Sequence, residues 1–204
     1  MKKFISSAIF TSVITLSGLI IFSGYVNNKY AQAQPSVCTD VLNGQCTPKH
    51  YSNNIIDKAK TFTGLTYKQI DCSHLVHKTF NLYFFGKPEL DKNQDPIIPY
   101  LTATDGLYDS KNAKKYFDEI QPENVKVGDL VLFDRPPQGK YRHVGFIESY
   151  NVDQQVGKFF GSQTSTGPAT AIFTTNQKKT GYYWGVKQKF IKFLRPKETI
   201  LRRT

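Results

Sequence analysis

The chain has 204 residues, 27 basic against 16 acidic for a formal net charge of +11, and 39% of its residues are hydrophobic. That size bounds it to a single compact enzyme or binding domain with a core of its own. Cleaving the leader described next removes Lys2, Lys3 and Lys29 and no acid, leaving 24 basic residues against 16 acidic, a net charge of +8. A cationic surface outside the cytoplasm suits polyanionic envelope polymers and excludes nucleic acid as the expected client, although it also serves solubility alone.

Residues 1–33 read as an export signal: Lys2 and Lys3, an uncharged run from Phe4 to Val26, then Ala31-Gln32-Ala33 as an A-x-A cleavage site. The expected location is therefore periplasmic or secreted. The run is also long enough to span a bilayer, so an uncleaved anchor is the alternative, and only then would the protein meet a membrane. Residues 34–51 form an irregular lead-in. There Cys38 and Cys46, around Asn43-Gly44, would pair in an oxidising compartment and leave Cys72 free. Such a staple is worth about 2–3 kcal/mol by loop-closure reasoning. The domain proper is read over 52–196, with 197–204 as a basic tail.

Within the domain, Ser52 is placed to cap a helix whose Ile55, Ile56, Ala59 and Phe62 make one apolar stripe ending at Gly64. A second helix opens at Asp71-Cys72-Ser73 and runs to about Leu82. Leu75, Val76, Thr79, Phe80 and Tyr83 follow Cys72 at helical spacing, so the thiol heads the buried stripe while His74, His77, Lys78 and Asn81 face water. The first helical turn offers unpaired N–H groups and the positive end of the dipole, which favours a thiolate. Phe85 to Leu107, with Gly86, Pro88, Pro96 and Pro99, is a long connection, read as a wall or lid of a cleft or as an ordinary insertion. Asp109 or Ser110 would start a third helix through Ala113, Tyr116, Phe117 and Ile120, closed by Pro122.

From there on the chain reads as strands at about 128–134, 142–150, 157–163, 169–175, 181–185 and 188–195. Helices followed by strands give an α+β domain, with N-terminal helices packed on an antiparallel sheet of about five to six strands.

Three blocks stand in order: Tyr67 with Asp71-Cys72-Ser73, then Gly128-Asp129-Leu130, then His143-Val144-Gly145. A cysteine at a helix start followed by a histidine at a strand start suits a thiol and imidazole brought together by folding. Over about Ser52 to Pro196 these residues resemble the NlpC/P60 family of bacterial cell-wall cysteine peptidases, with His74 where the family usually has glycine. The resemblance implies a papain-like fold, Cys72 as nucleophile and His143 as its base. It also implies a third polar group on the next strand, Lys158 to Gln163. Gln163 is the choice there because its amide can bond the ring, and Ser162 is what a one-residue register slip would substitute. Tyr67, Asp71 and Ser73 match family positions beside the nucleophile and are carried as substrate or neighbouring contacts. The implied substrate is the stem peptide of peptidoglycan, cut between γ-D-glutamate and a diamino acid. A CHAP-type amidase and an inactive wall-binding domain are the rival readings.

No cofactor or metal is expected. His74 and His77 lie three apart on a helix, but Cys72 is about 200° round the wheel from His74, and no carboxylate stands at ligand spacing. His50 has no companions. A serine-hydrolase elbow would need a glycine where Gln163-Thr164-Ser165-Thr166-Gly167 begins with glutamine.

Overall fold

The computed structural model describes residues 41–42, 45–46, 51–103, 106–109, 111–134 and 142–203; the leader, His50 and the side chains of Cys38 and Cys46 fall outside them. A two-residue pair, β1 (Val41–Leu42) and β2 (Gln45–Cys46), runs antiparallel with Val41 opposite Cys46. Helix α1 (Tyr51–Lys60) buries Ile55, Ile56 and Ala59 as the stripe predicts. It begins two residues earlier than a Ser52 cap would allow, so Ser52 lies inside its first turn and not at its cap. The turn after it ends at Gly64, whose φ of 93° is one that side chains resist.

Helix α2 (Cys72–Phe85) is bounded by its own chemistry. Asp71 stands outside it in extended conformation and accepts the His74 N–H at 2.8 Å, while Gly86 in the left-handed region sends its N–H to the Leu82 carbonyl at 3.2 Å. Cys72, Leu75, Val76, Thr79, Phe80 and Tyr83 are buried, as the spacing predicts. Phe80 packs against Phe117 and Phe146 with ring centroids 5.9 and 5.6 Å apart. Full burial of such a ring is worth about 2–3 kcal/mol.

The outer face of α2 departs from expectation. Asn81 is only 3% exposed, donating to the Pro88 carbonyl at 3.1 Å, and the Ser73 hydroxyl, also buried, accepts the Ala103 N–H at 2.8 Å. Lys78 reaches Glu89. The connection from Gly86 onward therefore folds back over α2, and its Ile98 and Ala103 are anchored in the core. Helical periodicity reports one buried stripe and says nothing about a loop returning to cover the other side.

Seven strands form one sheet. They are β3 (Phe117–Ile120), β4 (Leu130–Asp134), β5 (His143–Asn151), β6 (Val156–Gln163), β7 (Gly167–Thr174), β8 (Trp184–Gly185) and β9 (Gln188–Pro196), in the order β3-β9-β4-β5-β6-β7-β8. The third helix breaks into single turns at Gly106–Asp109 (α3) and Ala113–Tyr116 (α4), and Phe117–Ile120 pairs antiparallel with β9 instead of continuing a helix. A four-residue amphipathic run carries too little periodicity to separate the two forms, and the open edge of β9 decides it. The sheet is also not wholly antiparallel, because β8 runs parallel to both β7 and β9.

The sheet has a core on each face. Leu130, Leu132, Val144, Phe146, Phe160 and Leu194 meet the helices. Val131, Phe133, Ile147, Phe159, Phe173 and Phe193 fill the other side, with Trp184 and Phe190 against them. Burial on both faces explains why β4 reads Leu-Val-Leu-Phe without alternation. Just before β4, Gly128 has a φ of 91°, and a Cβ there would come within 2.8 Å of Ile55. Residues 197–203 pack back as well: the Lys197 N–H bonds the Tyr116 carbonyl at 2.8 Å, and helix α5 (Glu198–Leu201) buries Ile200.

Candidate active site

The cap of α2 and the first residues of β5 build the site. Cys72, the first residue of α2, is 4% exposed. The backbone of Val144, the side chain of Ser73 and the hydroxyl of Tyr67 lie near its sulfur. Val144 directly follows His143, so the helix cap delivers the thiol to the beginning of β5. By alternation Val144 points to the face that meets α2, whereas His143 shares the opposite face with Gly145 and Ile147.

The His143 ring is stacked on Trp184 at 4.4 Å and stands edge-on to Phe159 at 5.8 Å. Its Nε2 is buried without a hydrogen-bond partner. The space it occupies depends on Gly161, where a Cβ would lie 3.1 Å from that nitrogen. Continuing the Phe146–Phe160 register sets Gln163 across from His143 and Ser162 across from Val144. Of the two candidates for the third position, Ser162 is fully buried with its hydroxyl donated to the Ile70 carbonyl, while Gln163 is half-buried and donates Nε2 to the Ala169 carbonyl at 3.2 Å.

Asp71 is the charge that the whole site feels. Besides capping α2, its Oδ2 bonds the His74 ring Nδ1 at 2.8 Å. Burial first, then the Asp71 charge, pushes the Cys72 thiol above its ordinary value of 9.0, against the opposing contact from the Val144 backbone. Burial also pulls His143 down to about 3, with Asp71 acting in the other direction. Tyr67 is pushed up to about 12 by burial and by the neighbouring Cys72 and Asp71, which keeps it a phenol able to donate. Burial thus opposes the acidification expected from the helix start. A helix terminus contributes about 0.3–1 kcal/mol, whereas full burial of an ionisable group can shift a pKa by several units.

A consequence can be measured. With the thiol pKa raised, alkylation of the Cys72 peptide by iodoacetamide should be slow at neutral pH and keep climbing as pH passes 9.0. A rate already level from about pH 5 upward would instead reveal a resting thiolate–imidazolium pair.

Residues 59–187 match the NlpC/P60 family, which spans more than half of the chain. The chain belongs to the NlpC/P60 family. Members of this family are generally cysteine peptidases that act on peptidoglycan, and the match encloses Cys72, His143 and Gln163 together. No curated protein matches the chain. Three site features of this NlpC/P60 chain were not legible as such in its sequence. Trp184 is the sole tryptophan, in an expected strand run, and that rarity was the available signal. Tyr100 carries no motif at all. His74, the departure from glycine, turns out to brace Asp71.

Proposed function

We propose that this is an exported peptidoglycan endopeptidase that cuts stem peptides between γ-D-glutamate and the diamino acid, with Cys72 as nucleophile and His143 as acid and base. The observation that supports this reading most is the Cys72 sulfur lying against the backbone of the residue next to His143, within the span that matches the family. Val144 and not His143 meets the α2 face, so this reading requires the His143 ring to turn past the start of β5 toward the sulfur. Burial favours the neutral form of each group, so in this reading the proton moves from sulfur to imidazole as the sulfur adds to the peptide carbonyl.

The oxyanion would be held by N–H groups that α2 leaves without intrahelical partners, that of Cys72 among them, with the Tyr67 phenol as a further donor. Asp71 opposes a thiolate but supports the imidazolium, and so favours the later half of the transfer. Collapse of the adduct breaks the C–N bond; His143 protonates the departing amine and leaves a thioester on Cys72. Water deprotonated by the same imidazole then releases the γ-glutamyl acid and restores the thiol. Gln163 is the group we assign to orient the ring from the neighbouring strand, and a papain-like layout is the fold-level counterpart of this chemistry.

Export rests on the Lys2-Lys3 start, the uncharged run and Ala31-Gln32-Ala33. Digestion of purified sacculi with the leaderless chain tests the reading. Mass analysis should find new amino termini on the diamino acid and new carboxyl termini on γ-D-glutamate. Release of whole stem peptides with a free amino-terminal alanine would instead identify an amidase acting next to the sugar.

A further inference from the structure

The long connection after α2 lays one side chain against the first turns of that helix, beside the nucleophile. Ile98 and Ala103 are 2% and 3% exposed and fix the loop in the core on either side of Tyr100, which is itself 40% exposed. The Tyr100 ring lies on the His74 ring at 4.6 Å, tilted by 34°, and meets His77 edge-on at 5.6 Å. Its hydroxyl is beside Ser73, and it lies within the electrostatic reach of Asp71, Cys72 and Tyr67. His74 is in turn held by two bonds to Asp71, from its backbone N–H and its Nδ1, each 2.8 Å. Asp71, His74 and Tyr100 thus make a braced series running from the cap of the catalytic helix to a partly exposed aromatic ring.

We propose that Tyr100, braced by His74, is a specificity-determining wall of the cleft that receives the aliphatic part of the substrate residue adjoining the scissile bond. The inference rests on the reading of Cys72 as nucleophile, since that is what makes the neighbouring wall a substrate surface. Imidazoles cover part of the phenol ring, and the ring surface left within its 40% exposure is apolar and fits methylene groups. Glycine at position 74 could not supply the stacking partner, which gives this departure from the usual family residue a physical purpose. The loop is a fixed wall and not a lid, because its backbone is tied to Ser73 at Ala103 and its neighbours are buried.

The test reads binding and turnover separately, using the soluble tripeptide L-alanyl-γ-D-glutamyl-diaminopimelate. In the native enzyme Tyr100→Ala should raise KM about tenfold and change kcat less than about threefold, while Tyr100→Phe, which keeps the ring, stays within about twofold of native. His74→Gly should raise KM in the same direction, and the double variant should fall short of the product of the two single effects because they share one contact. Calorimetry on a Cys72→Ala background should show the same rise in Kd, which keeps the wall testable without turnover. Native turnover with KM unmoved in a folded Tyr100→Ala protein overturns the wall and leaves the proposed function standing. Equal losses from Tyr100→Phe and Tyr100→Ala also overturn it, since they would assign the effect to the hydroxyl at Ser73. Absence of turnover in the native protein overturns the proposed function; if the peptide also failed to bind the Cys72→Ala protein, the wall would fall with it.

Discussion

Arg195→Ala is expected to lower the unfolding free energy by about 3 kcal/mol, the low end of the range for orphaning a buried charge. Asp129 is 1% exposed and receives both Nε and Nη2 of Arg195 at 2.8 Å, together with the Lys126 N–H at 2.8 Å. The guanidinium also donates to the Asn124 carbonyl at 2.6 Å, so one side chain on β9 holds both the turn before β4 and the first carboxylate of that strand's lead-in. Removing it leaves the Asp129 charge buried with the Lys126 N–H as its remaining bond. The low end applies because the Arg195 side chain is 26% exposed and water can enter the space it leaves. Urea denaturation should show the midpoint falling at unchanged slope. A loss below about 1 kcal/mol would class the pair with ordinary surface ion pairs. Since whole domains are stable by about 5–15 kcal/mol, a loss of the expected size is a large share of the total.

How much of this was legible in the sequence depends on the signal involved. The α2 stripe was readable because six buried positions repeat at 3.6-residue spacing, whereas Asp71 was singled out by family position and its capping role came with the coordinates. Strands β4 to β7 and β9 were readable through their Pro, Gly and Asn punctuation. Phe117 to Ile120 was not, since its fold depends on a free edge some seventy residues away. Nor was the burial of Ser73 and Asn81, which results from a loop without periodicity closing over α2. Within the site, Cys72 and His143 were singled out by position and family likeness. Dipole and burial act on the thiol in opposite directions, and only coordinates show how complete the burial is. Trp184 and Tyr100 reach the site through tertiary placement alone.

The largest functional effect is expected from Cys72→Ala, where the loss of the attacking sulfur should cut hydrolysis by about a thousandfold or more. No other described cysteine side chain can substitute, as Cys72 is the free thiol among the described residues. Trading a buried sulfur for a methyl group costs on the order of 1 kcal/mol, so the variant should remain folded with a thermal midpoint within a few degrees of native. His143→Ala would be a less clean companion, because it also empties the space between Trp184 and Gly161. The decisive measurement is the rate at which native and Cys72→Ala proteins, matched for folded fraction, release new amino groups from purified sacculi. Steady release by the native protein and background release by the variant are expected; release by Cys72→Ala at anything near the native rate would rule out Cys72 as the nucleophile.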